Sequence, residues 1–289
     1  MGRRVLAEFY GGMLGMQVFE PYGWLKLAKR PPDGDYIAGR TRDGGSKLQF
    51  SLDDDGWSDQ RPPRWPDPEY PQQLHLDIFV PDVVAADTLV TGMGATLLQD
   101  RDAFRTYADP AGHPFCLHPD RSAVPEGPVV GRLVVDCFSP RALASFYQGF
   151  LGVEKRLEDS PEWVVIDLDD DGGLPNLAFQ HAQFRAARWP DPAYPAQLHV
   201  DYRFPAGAQA QVERIDRLGA VRLQGNTYGD LPDIRFVCDL GLRRAACGRH
   251  DLTVERGRQP SYFVCSGRVV TAGSCVRRTD CAPRRGDHA

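Results

Sequence analysis

The chain has 289 residues, a net charge of −5, and 42% hydrophobic against 25% charged residues. That balance predicts a packed globular protein long enough for two domains, and it argues against disorder. The acidic charge argues against a broad nucleic-acid surface; without an apolar run of roughly 20 residues or a secretory h-region, no membrane span or signal peptide is expected, which predicts a cytoplasmic protein.

Residues 4–16, RVLAEFYGGMLGM, read as a short amphipathic helix, with Val5, Leu6, Phe9, Met13 and Leu14 inward and Gly15 at its C-terminal cap. Residues 141–153, RALASFYQGFLGV, repeat that pattern, with Ser139 as N-cap and Pro140 at the first helical position. A strand at 132–137 precedes the second helix. Only Met1, Gly2 and Arg3 precede the first, so the first copy lacks its opening strand, or another strand fills the gap. Hairpin strands follow each helix, at 23–28, 36–40 and 47–52 in the first half and at 163–168 and 176–181 in the second. The Asp-rich segments 53–56 and 169–173 lack the spacing of a calcium loop and read as solvated turns.

A longer stretch then occurs twice. Residues 64–82 read RWPDPEYPQQLHLDIFVPD and residues 188–206 read RWPDPAYPAQLHVDYRFPA. Each opens on a stiff Trp-Pro-Asp-Pro turn and enters a strand. Side chains alternate along a strand, so His75 and Asp77 share one face, as do His199 and Asp201, with aliphatic residues on the other. Trp65 and Trp189 either line the mouth of a pocket or cover an edge of the sheet. Arg64 and Arg188 read as surface ion pairs or as anchors for an acidic ligand. Helices at 81–93 and 207–218 follow, then strands at 95–98 and 220–223. A strand, an Asp-Pro-Ala-Gly turn and a last strand fill 104–117, and 122–127 read as a linker. Cys116, Cys137 and Cys238 lie in strand-like contexts and read as buried thiols; none of the seven cysteines forms a C-x-x-C pair.

Each half is thus two βαβββ units. The fold class expected is α+β, with tandem βαβββ repeats forming two half-open eight-stranded barrels and helices outside. The domains expected are 1–121, lacking its first strand, and 128–239, its last strand not placed. Residues 240–289 are rich in Arg, Cys and Gly without periodicity and read as a divergent, disordered tail.

The helix RALASFYQGFLGV after a strand, with QLHLDIFVPD and YADPAGHPFCL, resembles the vicinal oxygen chelate superfamily, also called glyoxalase/bleomycin resistance/dioxygenase, and in particular its tandem glyoxalase-like domain proteins. The resemblance covers residues 1–239. It implies small-molecule binding, and in metal-using members a divalent ion held at the first and last strands of each unit. Those positions fall at Gln49, His75 and Cys116 in the first half, and near Arg132, at Gln180 and at His199 in the second. One histidine plus one amide per site is thin for a catalytic metal, and Arg132 repels a cation. The expectation is therefore a small-molecule binder without a catalytic metal, its ligand met by His75, Asp77, Gln49, His199, Asp201, Gln180, Trp65 and Trp189. The alternative is a metal-dependent lyase, isomerase or dioxygenase holding Zn, Ni, Fe or Mn through Gln49, His75, Gln180 and His199. Gln49 is expected beside His75 and Gln180 beside His199. The partner expected is a small molecule, not nucleic acid or membrane; a homodimer is a further reading.

Overall fold

The structure is a computed structural model and describes residues 3–19, 25–28, 48–50, 63–70, 73–120, 127–168, 175–183, 198–203, 208–224, 227–229, 235–239 and 261–266. The first helix, α1 (Arg3–Leu14), buries Leu6, Phe9, Tyr10 and Met13, which recur at helical spacing. Val5 lies one position off that stripe and is 43% exposed, against expectation. Gly15 ends the helix at φ 62°, a left-handed conformation that glycine adopts without strain. Then come β1 (Gln17–Phe19), β2 (Leu25–Ala28) and β3 (Leu48–Phe50). The strand expected at 36–40 and both Asp-rich turns lie outside the described residues.

The repeated motif forms β4 (Leu74–Val80), whose Leu74, Leu76, Ile78 and Val80 enter the hydrophobic core. Asp82 caps α2 (Val83–Gly92), its Oδ1 accepting from the backbone of Val84 at 2.8 Å and of Ala85 at 3.0 Å. There follow β5 (Thr96–Asp100), β6 (Arg105–Ala108), β7 (Pro114–Pro119) and β8 (Val129–Cys137). Helix α3 (Pro140–Leu151) starts with Pro at its first turn; Ser139 stands at the cap, but its hydroxyl makes no capping bond. Gly152 ends it at φ 74°. Its inner stripe of Leu143, Phe146, Tyr147 and Phe150 packs on the sheet, with Tyr147 stacked on Phe179 at 5.4 Å. The remaining elements are β9 (Arg156–Asp159), β10 (Trp163–Ile166), β11 (Asn176–His181), β12 (Leu198–Arg203), α4 (Ala208–Arg217), β13 (Val221–Gln224), β14 (Thr227–Gly229), β15 (Arg235–Asp239) and β16 (Ser261–Ser266).

The strands form two open, mixed, eight-stranded sheets. The middle sheet runs β5-β6-β7-β4-β8-β11-β10-β9 and the end sheet runs β1-β2-β3-β16-β12-β15-β14-β13. The sheets do not follow the two halves of the chain. The middle sheet joins the second unit of the first half to the first unit of the second half through the antiparallel pair β4–β8. In each of those units the opening strand pairs in parallel with the closing one, β4 with β7 and β8 with β11.

The end sheet repeats that plan from the remaining units, with one substitution. The slot for the opening strand of the first unit is filled by β16, which lies parallel to β3 and antiparallel to β12. Ser261–Ser266 belongs to the segment whose composition suggested a disordered tail; its SYFVCS run is rich in the aromatic and β-branched residues that favour a strand. Helix α1 packs on β1, β2 and β3 and also reaches the middle sheet. There Phe9 meets Phe115 edge-on at 5.7 Å and the Tyr10 hydroxyl donates to Asp109 Oδ2 at 3.0 Å. Cys116 and Cys137 are buried thiols outside any disulfide, as expected.

Candidate functional site

Strand alternation sends every second residue of the middle sheet to the face opposite α2 and α3. The strand register orders those residues into rows. One row is Gln73, Asp136, Gln180 and Trp163, joined by the Asp136 N–H bond to the Gln73 carbonyl (2.8 Å) and by the pairs Asp136–Gln180 and Gln180–Trp163. The next is His75, Val134, Ala178 and Val165. The third is Thr106, Cys116, Asp77, Arg132 and Asn176, and beyond it His118 pairs with Phe79.

Asp77 is the hub. It is 3% exposed. Its Oδ1 lies 3.2 Å from His118 Nε2 and 3.7 Å from His75 Nε2, and its Oδ2 lies 3.6 Å from the Arg132 guanidinium. Burial works to raise the carboxyl, but the close approach of His118 and the positive potentials of His75, His118 and Arg132 outweigh it and hold it below the usual range. His118 is sandwiched between the rings of Phe79 and Phe104, each 5.2 Å away. Gly131 leaves room for the Phe79 ring, which a Cβ at that position would strike. Arg132 spans Phe79 at 5.2 Å and Trp163 at 5.7 Å and reaches Glu158 at 3.4 Å.

Two further groups are tuned by burial. The Cys116 thiol is pushed up to about 12, chiefly by burial and then by the charge of Asp77; its Sγ lies 3.4 Å from the Thr106 hydroxyl. The Asp136 carboxyl is pushed up to about 6 by burial, against a smaller opposing effect of His75. Among the described residues, four buried side-chain atoms have no hydrogen-bond partner: Gln73 Nε2, His75 Nδ1, His118 Nε2 and Asp136 Oδ1. All four belong to this one face. The 3.2 Å approach of His118 to Asp77 is therefore an electrostatic contact without the alignment of a hydrogen bond.

The pairs His75–Val134 and Asp77–Arg132 relate the two units by a pseudo-twofold axis. His75 then corresponds to Arg132, Asp77 to Val134, Phe79 to Asp136, Cys116 to Ala178 and His118 to Gln180. One unit supplies His75, Asp77 and Cys116, whose ligand atoms lie within 4.8 Å of one another. At the corresponding positions the other unit supplies a guanidinium and two aliphatic side chains. In type, the nitrogen, oxygen and sulfur donors suit a borderline divalent ion such as zinc. In charge they do not, because Arg132 already lies against Asp77 and the thiol must give up a proton.

The residues expected to meet a ligand are regrouped. His75 and Gln180 share the middle sheet, while Gln49 in β3 and His199 in β12 share the end sheet. The members of each expected pair, Gln49 with His75 and Gln180 with His199, thus stand on strands of different sheets. The register aligns Gln49 with Cys265 of β16 and Cys265 with His199, in one row. The side chains of Gln49, His199 and Asp201 lie outside the described residues, as does Trp189. Trp65 is half-buried in its turn, where the Asp67 amide donates to the Arg64 carbonyl at 2.7 Å. Arg64 lies over the Tyr70 ring at 3.3 Å. Gln73, His118, Asp136 and Trp163 were not singled out in the sequence. The signal for two of them was a lone Asp or His closing an apolar run, in LVVDC and PFCLH.

The profile of the glyoxalase-like domain family matches residues 2–118 and again residues 132–232. The chain belongs to that family, with two copies in tandem. Among solved structures it is similar to a putative dioxygenase from Bacillus subtilis, with 15% identity, 81% of this chain and 80% of that chain covered, and a TM-score of 0.50. It is also similar to glyoxalase I from Zea mays, with 13% identity, 81% and 87% covered, and a TM-score of 0.51. At such identities the likeness is one of fold. A comparison with curated proteins finds no match. No helix among the described residues is long and apolar enough to cross a membrane.

Proposed function

We propose that the chain binds a small organic molecule on the polar face of the middle sheet without needing a metal, each sheet curling into a half-open barrel around its own hollow. The observation that carries this is the set of four unpartnered buried polar atoms on one face. Buried polar groups are almost always hydrogen-bonded, and leaving one unpaired costs about 1–3 kcal/mol. Four together, beside half-exposed Arg132, Gln180 and Trp163, mark a place where something polar is received. His75, Asp77 and Gln180 meet the ligand here; Gln49, His199 and Asp201 do the same in the end sheet, with Trp65 and Trp189 over the openings.

The test is a thermal-shift screen of planar organic compounds against the purified protein. A ligand at about 100 times its Kd stabilises by about 2.7 kcal/mol. His75→Ala is expected to abolish that shift, and a shift that survives it in full removes this face as the site.

A second reading is favoured by the clustering of His75, Asp77 and Cys116. A zinc-like ion there would polarise a substrate oxygen. Elemental analysis of the purified protein decides between the two. Stoichiometric metal that is lost in both His75→Ala and Cys116→Ser establishes the metal reading. A metal-free protein that still binds its ligand establishes the first. The reading also includes a cytoplasmic homodimer meeting at free sheet edges, of which the order leaves β5 and β9 in the middle sheet and β1 and β13 in the end sheet. A one-chain mass by light scattering would remove the dimer.

A further inference from the structure

The row Gln73, Asp136, Gln180 and Trp163 reads amide, carboxyl, amide, indole across four adjacent strands. Neighbouring strands lie about 4.8 Å apart, so the four side chains rise beside one another. Gln73 and Asp136 are 8% and 6% exposed, and each holds a polar atom without a partner. One is a donor, Gln73 Nε2; the other, Asp136 Oδ1, is an acceptor. Their backbones are bonded to each other but these two atoms are not. The adjoining row supplies an apolar floor of Val134, Val165 and Ala178, against which Trp163 packs.

We infer that this row is a subsite for a planar, uncharged ligand with an amide-type edge, such as a lactam or cyclic urea. Its N–H faces Asp136 Oδ1, its carbonyl faces Gln73 Nε2, and its ring lies against Trp163. The inference rests on the binding reading above and gives it a chemical class. Complementarity selects the class. An ammonium ligand would suit Asp136 and leave the Gln73 amide unpaired. A carboxylate would suit Gln73 and be repelled by Asp136. Only an edge that carries a donor beside an acceptor satisfies both. With its carboxyl pushed up to about 6, Asp136 is ionised at mildly alkaline pH and accepts.

The probes are 2-quinolone, its O-methyl ether 2-methoxyquinoline, which lacks the N–H, and quinoline-2-carboxylate. Binding is followed at pH 7.5 by NMR line shifts and by quenching of Trp163, identified by comparison with Trp163→Phe. The lactam is expected to bind at least about tenfold more tightly than either analogue, the size of one lost hydrogen bond. Asp136→Leu is expected to bring the lactam and its ether to within about twofold of each other. Gln73→Met is expected to weaken the lactam and leave the ether unchanged, and it serves if Asp136→Leu does not fold. Equal binding of lactam and ether, or a preference that survives these substitutions, overturns the amide-edge assignment and leaves the binding reading standing. Silence from all three probes overturns the assignment as well. Silence from the planar-compound screen too would bring down the broader reading.

Discussion

At the scale of single residues, Asp77 and Asp136 show how one sheet face drives two carboxyls in opposite directions. Asp77 is surrounded by groups that carry or accept positive charge, and its ionised form wins despite burial. Asp136 has little beyond His75 to offset burial, so its neutral form is favoured and it titrates at about 6. The folded value lies above the ordinary 3.8, so the stability linked to this group is fully present below about pH 4. It is lost as pH rises toward 6, a change on the order of 3 kcal/mol. Asp136→Leu is therefore expected to raise the urea midpoint at pH 7.5, with the gain shrinking toward pH 4.5. A gain that does not change with pH would contradict this. The repeated QLH-x-D motif made His75 and Asp77 legible, because period-two alternation puts both opposite the aliphatics. Asp136 and His118 each close an apolar run and occur once, so neither alternation nor repetition marked them. Arg132 was legible as an obstacle to a cation; its place over two aromatic rings depends on Phe79 and Trp163, which only the folded sheet brings together.

At the scale of elements, helices were read better than short strands. α1, α2, α3 and α4 each lie within two or three residues of their expected bounds, because a helix carries its periodicity over ten or more residues. The Asp82 cap makes this testable. Asp82→Ala removes the acceptor of two backbone N–H groups and is expected to cost about 1 kcal/mol in urea unfolding. An unchanged midpoint would mean that water replaces the cap without loss. In contrast, β1 has three residues and β9 reads Arg-Leu-Glu-Asp. Neither is long or apolar enough to show a period; each exists because a neighbouring strand offers it hydrogen bonds.

At the scale of the whole molecule, the βαβββ units were legible but their partnership was not. The units share nearly the same pattern, so nothing local says which opening strand pairs with which. The structure joins the inner two and leaves the outer two to each other, which is why the members of each expected pair of site residues stand on different sheets. The role of β16 is the sharpest consequence. Without it, β3 and β12 have no partner on the facing edges. Deleting residues 240–289 is expected to expose the β3 and β12 amides to hydrogen exchange while those of β4 and β8 stay protected. Placing residues 261–266 ahead of α1 in a permuted chain should restore them. Undiminished protection of β3 and β12 in the deletion would assign the slot to something else.

The position of β16 also sets a timetable for synthesis. Every strand of the middle sheet lies between residues 74 and 181, so that sheet has all its strands while translation is still under way. Its companion draws on β1 to β3 near one end and on β16 near the other. It must wait, with an unfilled gap at its centre, until the ribosome has delivered residue 266. A nascent chain stalled before that point is expected to present a finished middle sheet beside an end sheet whose central slot is still open.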